Sequence, residues 1–570
     1  MSNYTLDPIK NHGVSKKLAL RQLGLFVQVA PKVGIVKPRD GLRSIVDSLK
    51  TIRRWGGFET GALVNSARKY PNRLAIVDDL GQLTYAELFG ETVRFAYAMQ
   101  ARGIVEGSNL AVLALNSRAA IIPLCARQLL GYNIFMINAN SSGAQVQRIM
   151  EYHDTSTLVV DSDFVDRLTE ETIANSDIII GFEVDGAEVS AELPRMMDLI
   201  AEATLPGGSV ERAVENLPKS PKWGAHVVMT SGTTGMPKGV VRRAKASLQS
   251  SAPVFASVPW RRHMTVLLTG VLFHFYGWGN LVLALHTGST VVTQRKYDAA
   301  AVVKVMQDQG VNAWISAASR LRAMCSYLDE HGIERIDGLE FIMSSGSPLT
   351  PYEVHEIHAK FGNVLHNLYG STESAAIAIS TARELVADPA LSGTIRPGTA
   401  VRIVDSAGND VSDGEVGEIY VGDYTMFDGY TDPDIEIPLL DGLLRMGDKG
   451  YRVGDKLYVK GRADDLVITQ YGEKIFPNEV EDSLLYDERV KDVCVHGVED
   501  NEFGQALRCY VIREEGLSKD DLSADDVAGL VRERLSDAHV PRDIYFVQKF
   551  PRNPMGKVIR PELPGRSTVA

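Results

Sequence analysis

A chain of 570 residues is longer than one hydrophobic core supports and predicts roughly two to four domains. It is 45% hydrophobic and 23% charged, an ordinary globular balance, and its formal charge of −12 disfavours nucleic acid, which asks for a basic footprint. Cys125, Cys325, Cys494 and Cys509 are scattered, without CxxC or His-paired spacing, which argues for reduced thiols in a cytoplasmic protein and against a disulfide frame or a zinc site.

Residues 1–56 carry eleven Lys and Arg against three Asp, a charge of +8 that leaves −20 for the rest. Leu20, Leu23, Phe26 and Val27, then Leu42, Ile45, Val46 and Leu49, interleave with those bases. Such a basic amphipathic extension suits peripheral contact with an anionic membrane, and equally packing on the chain's own acidic body; both stay open. From residue 57 strands and helices alternate. Leu74–Val77 is a strand, Thr84 with Glu87 a capping box for a helix stopped at Gly103, and Asn109–Leu115 a buried strand. A helix over Ser117–Leu130 and strands at Asn133–Ile137 and Ser156–Val160 continue the pattern. It resumes with strands at Val227–Met229, Thr290–Val292, Ala313–Ser316, Phe341–Ser344 and Val364–Asn367. Strands so spaced by helices predict parallel sheets with right-handed crossovers. Met264 to Leu285 holds no Asp, Glu, Lys or Arg, but its glycines break it into a buried strand, a turn and a buried helix rather than a membrane span.

After residue 393 short strands with Gly/Asp turns predict a small antiparallel unit or barrel. Beyond Gly461 comes a compact tail, with helices after Pro477 and near Asp525–Ser536 and strands at Val493–Gly497 and Arg508–Ile512. The expected class is α/β: a large N-terminal domain of two parallel-sheet α/β subdomains plus a small β-barrel, and a small mobile α+β C-terminal domain. The corresponding divisions are 1–56, 57–461 and 462–570. Nothing in the chain decides between a monomer and a homodimer.

The sharpest local feature is Met229-Thr-Ser-Gly-Thr-Thr-Gly-Met-Pro-Lys-Gly239, which follows an apolar strand. Gly232, Gly235 and Gly239 let backbone N–H groups approach phosphate oxygens. The hydroxyls of Thr230, Ser231, Thr233 and Thr234 add donors, and Lys238 adds a mobile cation. The order lacks the Gly-Lys-Ser/Thr ending of a Walker loop.

This loop resembles the phosphate loop of the adenylate-forming superfamily, which includes acyl-CoA synthetases, luciferases and nonribosomal adenylation domains. Companion motifs follow in order over roughly residues 57–560. Gly346-Ser347-Pro348-Leu349 resembles the end of the adenine-pocket strand, and Tyr369-Gly370-Ser371-Thr372-Glu373 the family's Tyr-Gly-x-Thr-Glu. Gly447-Asp448 looks like the ribose-binding aspartate, and Gly461-Arg462-Ala463-Asp464 the ribose arginine and domain hinge. Gly472-Glu-Lys-Ile475 resembles the loop lining the pantetheine tunnel, and Pro551–Lys557 the C-terminal catalytic-lysine motif. The resemblance implies ATP, Mg²⁺ and coenzyme A as cofactors. It gives Glu373 the role of metal ligand, Thr372 a contact to the α-phosphate, and Tyr369 a stack on adenine. Lys557 would bridge the acyl carboxylate and the α-phosphate, and rotation at Asp464 would exchange Lys557 for the Gly472 loop. The chemistry fits the residue types: a carboxylate attacking a polyanionic triphosphate needs cations and donors, and Mg²⁺ takes oxygen ligands.

Within Leu272-Phe-His-Phe-Tyr-Gly-Trp278, His274 stands where amino-acid-activating relatives carry an aspartate, which points to a neutral-tailed acid. Trp278 resembles a gating tryptophan of long-chain fatty acyl-CoA synthetases, or is plain core. Gly277, Gly279, Ala375 and Ala376 are small and would leave room for an alkyl chain. The acyl-CoA synthetase branch, close to bacterial medium- and long-chain fatty acid–CoA ligases, is the expected placement, with a fatty acid as substrate. A fatty acyl-AMP ligase loading a carrier protein, an aryl-CoA ligase and an inactive acyl- or nucleotide-binding protein are the alternatives. Met446, where threonine is usual, Gly107-Ser108, and the short Asp428–Asp441 stretch depart from the family pattern.

Overall fold

The computed structural model describes residues 16–33, 41–187, 189–219, 221–230, 238–242, 251–423, 425–468, 473–500, 504–552 and 558–564. A large N-terminal domain carries two extended sheets, and a small C-terminal domain carries one of three strands. Seven strands form the first sheet, in the order Gly429–Tyr430, Lys238–Arg242, His226–Thr230, Asn133–Met136, Asn109–Leu113, Thr157–Val160, Asp177–Ile180. From His226–Thr230 to Asp177–Ile180 all pairings are parallel. Asn109–Leu113 and Thr157–Val160 are buried at every position, as parallel strands covered by helices on both faces must be. The local signals read from the sequence are present. Thr84 and Glu87 close a capping box on Tyr85–Ala101, and Ser117 caps Arg118–Leu130, which ends at Gly131 with φ +83°.

The second sheet has fourteen strands. Its parallel part runs Leu365–Ser371, Phe341–Ser345, Ala313–Ala317, Thr265–Leu268, Thr290–Val292, Leu74–Asp78. The antiparallel unit expected beyond residue 393 is there as Thr399–Val404, Gly417–Asp423, Leu443–Val453 and Lys456–Arg462. Rather than standing apart, it hydrogen-bonds onward through Gly393–Ile395 and Ala375–Ser380 into the parallel strands. Met264–Leu285 resolves into the strand Thr265–Leu268, a turn and the helix Phe275–His286. Among the described residues no helix is long and apolar enough to cross a membrane.

Polar side chains tie the sheets together. Arg295, past the end of one strand of the second sheet, pairs at 2.9 Å with Asp161, past the end of Thr157–Val160. Asn116 accepts from Leu272 N–H at 2.9 Å and donates to Gly270 C=O at 2.9 Å, fixing the segment that leads into His274.

The N-terminal helices Lys16–Val33 and Gly41–Trp55 use part of their apolar surface on the body. Val29, Ala30 and Val33 join the main core, the first helix lying against Ala252–Ser257, and Trp55 is buried as well. Val27, Val46 and Leu49 remain exposed. In the C-terminal domain Val490–Asp500, Gly504–Arg513 and Asp543–Phe546 pair beneath the helices Pro477–Leu485 and Ala524–Arg534, around Val480, Val495, Val511, Val527 and Val531. It meets the larger domain through Lys491, 2.8 Å from Glu330, and through Tyr352 N–H, which donates to Asp482 at 3.2 Å.

Candidate active site

The motif residues gather where the strands end, the edge at which ligands bind in open α/β sheets. Thr230 pairs with Lys238 across an antiparallel hairpin, so the hydroxyl-rich loop leaves and re-enters the first sheet at one point. Ser231, Gly232, Thr233, Thr234 and Gly235 lie outside the described residues, as does the side chain of Thr230. Lys238 is half-buried, its ammonium 5.6 Å from the centre of the Tyr430 ring. Gly239 is a packing requirement: an added Cβ would sit 2.5 Å from the Thr431 hydroxyl and 2.9 Å from Val227.

Gly346, with φ +92°, turns the chain as it leaves Phe341–Ser345, and presents Ser347 and Pro348 beside the end of Leu365–Ser371. That second strand delivers Tyr369 and Gly370, then bends sharply. A Cβ on Gly370 would collide with the Ala375 carbonyl, and Ala375 itself takes φ +58°. The turn is stitched by Ser371 and Ser374. The Ser371 hydroxyl accepts from the N–H of Glu373 at 3.2 Å and of Ser374 at 3.1 Å. Thr372 and Glu373 are left half-buried at its tip. Tyr430 donates its hydroxyl to Glu373 Oε1 at 3.1 Å. No cluster of three or more His, Cys, Asp or Glu stands among the described residues as a protein cage for a metal. A single carboxylate such as Glu373 matches instead Mg²⁺ that arrives on a triphosphate and keeps few protein ligands.

Asp448 and Arg462 face each other as paired residues of adjacent strands. Arg462 Nη1 lies 3.2 Å from Asp448 Oδ1 and donates to the Met446 carbonyl at 3.0 Å. Gly447 makes room, since a Cβ there would meet the Arg462 guanidinium at 2.8 Å. Met446, beside Gly447, is buried in the antiparallel core. Tyr369 donates to the other oxygen, Asp448 Oδ2, at 2.7 Å. Burial, then the Asp448 charge and hydrogen bond, raise the Tyr369 phenol well above its ordinary pKa, so it stays protonated. Asp464 is exposed in the short turn that follows Arg462, and Asp465 beside it accepts from Arg560 at 2.5 Å. Gly472 and Lys557 lie outside the described residues. Arg552 and Val558 form an isolated bridge that fixes the ends of the segment carrying Lys557.

His274 precedes the first turn of Phe275–His286, its ring unbonded to the helix it caps. Burial pushes its pKa down to about 4, so the imidazole is neutral at physiological pH. One alternative left open is decided here and one expectation is corrected. Trp278 is core and not poised to swing: it is 1% exposed, and its Nε1 donates at 3.0 Å to Glu59 Oε2. Glu59 in turn holds the fully buried Arg127 at 2.6 Å, and Phe58 meets the indole edge-on. Gly277 does not supply room for a substrate, because its Cβ would lie 2.2 Å from the Val271 carbonyl; it allows a close helix turn. Gly279 has open space at its Cβ position. Glu59, Arg127, Arg242 and Tyr430 were not singled out by sequence. Arg242, ending the apolar run Gly239-Val-Val241, was the one with a visible signal.

A cleft of 780 Å³ opens between the two domains, lined by Arg295, Arg320 and Arg322 on one side and by Lys491, Lys549 and Arg552 on the other. Asp492 and Glu515 lie among them, and most of these cations already have carboxylate partners: Arg295 pairs with Asp161, Arg322 with Glu353, Lys491 with Glu330 and Arg552 with Asp492.

The family model described as AMP-binding enzyme matches residues 63–431. This chain is an AMP-binding enzyme. A second model, the AMP-binding enzyme C-terminal domain, matches residues 479–557. The chain is 28% identical over 518 residues to the indoleacetate–CoA ligase of Aromatoleum aromaticum, covering 89% of this chain and 95% of that one. It is 26% identical over 510 residues to the medium/long-chain-fatty-acid–CoA ligase FadD8 of Mycobacterium tuberculosis, covering 87% of each. Its fold matches that of o-succinylbenzoate CoA synthetase from Bacillus subtilis with a TM-score of 0.75 at 24% identity, over 89% of this chain and 99% of the other. The AMP-binding model ends at Thr431, just beyond Tyr430, and so spans the residues around Glu373.

Proposed function

We propose that this acid–thiol ligase activates a medium- to long-chain fatty acid and passes it to coenzyme A. An acid oxygen attacks the α-phosphorus of ATP and the bond to the β-phosphate oxygen breaks, giving acyl-AMP and pyrophosphate. The thiol sulfur then attacks the acyl carbon, AMP leaves, and the thiol proton goes to solvent. The observation that carries the substrate reading is His274. A half-buried, neutral imidazole offers no charge to partner an ionised tail, and the helix that follows it is apolar. The likeness to FadD8 supports the same reading. Each methylene buried in such a pocket contributes about 0.8 kcal/mol.

In this reading residues 57–461 adenylate, residues 462–570 move as a unit about Asp464, and residues 1–56 form the extension. Thr230–Gly235 and Lys238 hold the triphosphate, Gly346–Pro348 and the Tyr369 ring hold adenine, and Asp448 with Arg462 holds the ribose hydroxyls. Thr372 donates to the α-phosphate. Glu373 would hold Mg²⁺, which neutralises phosphate charge when bound. Lys557 stabilises the charge that develops as pyrophosphate departs. The likeness to CoA ligases supports coenzyme A as the acceptor, and the Gly472 loop guides the thiol.

A second reading, a compact aryl acid, is favoured by Tyr276. Its hydroxyl donates to the Met343 carbonyl at 2.5 Å, spanning from the helix start to the strand that ends at Ser345, and Trp278 is fixed beside it. Pyrophosphate release over a panel from hexanoic to palmitic acid, with benzoic and cinnamic acids alongside, separates the two. Turnover that grows with alkyl length supports the fatty acid. Turnover confined to aryl acids transfers the assignment to the second reading, and release from no acid sinks adenylation itself.

A further inference from the structure

Arg242 closes the strand that carries Lys238, and its side chain is buried. Among the described residues its guanidinium makes four hydrogen bonds, all to backbone carbonyls. Nε and Nη2 donate to Thr372 C=O at 3.1 and 2.5 Å, Nη2 also to Glu373 C=O at 3.1 Å, and Nη1 to Thr425 C=O at 2.8 Å. The guanidinium carbon lies 4.1 Å from the centre of the Phe275 ring, the residue after His274. One planar cation therefore touches the tip of the Tyr369–Glu373 motif, the segment leading to Tyr430, and the start of the His274 helix. Burial lowers its pKa to about 10, and the charges of Glu373, Asp428 and Asp423 oppose that shift, so it remains a cation at neutral pH.

The strand bearing Arg242 reaches Glu373 by a second route. It pairs with Gly429–Tyr430, and Tyr430 bonds the Glu373 carboxylate while Phe427 N–H donates to the Glu373 carbonyl at 2.8 Å. Backbone and carboxylate of Glu373 are thus both referred to the strand that leaves the phosphate loop. The rigid guanidinium spreads its N–H donors over three nitrogens and so reaches two adjacent carbonyls and a third on another segment; the three donors of an ammonium all radiate from one atom.

We propose that Arg242 is a positioning residue for the adenylation step, holding Thr372 and Glu373 in register with the Lys238 strand. The inference rests on the adenylating function proposed above. It adds to that function a requirement for the guanidinium fork that is greatest in the first half-reaction, where the triphosphate and the metal held by Glu373 must be aligned with Lys238.

The test compares Arg242→Lys and Arg242→Gln with the wild type in both halves of the reaction. Pyrophosphate release is measured with the best acid of the panel, and thioester formation is measured from the supplied acyl-adenylate. Arg242→Lys should lose tenfold or more in the adenylation rate and need a higher Mg²⁺ concentration for half-saturation, with thioester formation within twofold of wild type. Equal loss in both halves, or wild-type adenylation in Arg242→Lys, overturns the proposal. Collapse of the native fold in both variants, seen by circular dichroism, overturns it too, because the fork would then hold the fold and not the step. A wild type that releases no pyrophosphate from any acid would instead remove the function on which the inference stands.

Discussion

Tyr369 donates its phenolic hydrogen to Asp448 Oδ2 at 2.7 Å across 79 positions of sequence, while Arg462 approaches the other oxygen of the same carboxylate. The aspartate is thereby held by two partners, so that under the function proposed above less ordering would remain when a ribose hydroxyl binds it. The tyrosine ring is fixed in the same way, at the mouth of the strand-end crevice.

Removing that bond should therefore weaken nucleotide binding without abolishing chemistry. A hydrogen bond to a charged group is worth about 1.5–3 kcal/mol. Tyr369→Phe should raise the KM for ATP about tenfold or more and leave kcat within a few-fold. Asp448→Ala should cost more, since it also strands Arg462. Steady-state kinetics in ATP check both, and an unchanged KM in Tyr369→Phe would show that the bond does not preorganise the site.

The two half-reactions should separate by mutation. Lys557→Ala should abolish pyrophosphate release while sparing thioester formation from supplied acyl-adenylate. Asp464→Pro, which stiffens the exposed turn after Arg462, should do the reverse. Single-turnover assays of each half read this directly; equal loss of both halves in the lysine variant would remove the two-pose assignment.

The Glu59–Arg127–Trp278 cluster should set stability and not rate. Glu59 and Arg127 have no exposed side-chain surface, so Glu59→Ala leaves a buried guanidinium without its carboxylate and the Trp278 N–H without an acceptor. Breaking one partner of a buried pair costs about 3–5 kcal/mol. Urea unfolding should show that loss. A variant as stable as the wild type would mean the pair is replaced by water or by a shift of the Arg127 side chain.

His274 should not titrate in the working range. Burial lowers its pKa from 6.5 to about 4, so its positive charge returns only as pH falls through about 4. His274→Gln should accordingly change the rate of adenylation but leave the shape of its pH profile between about 5.5 and 8 as in the wild type. An inflection near 6.5 that vanishes in the variant would place a protonated imidazole in the site.

Much of this architecture was legible in the chain itself. Strand and helix signals are local, and so the capping box at Thr84, the buried strands at Asn109 and Thr157, and the broken apolar run at Met264–Leu285 stand where periodicity put them. The family was legible too, because Lys238, Glu373, Asp448 and Arg462 sit in short motifs whose order is itself a pattern. Pairings between distant segments were not. Periodicity near Val401 predicts antiparallel strands, but not that they hydrogen-bond onward into the parallel sheet through Gly393–Ile395.

The amino-acid sequence by itself thus determined the alternating α/β plan and the family motifs. Only the tertiary structure decided that Trp278 is anchored core, that Gly277 serves a tight turn, and that Arg242 grips the Thr372–Glu373 carbonyls. The reason is physical. Glu59 and Trp278 are 219 positions apart, and Arg242 and Thr372 are 130 apart. What a buried polar group does depends on the partner that folding brings to it, and no local propensity encodes that partner.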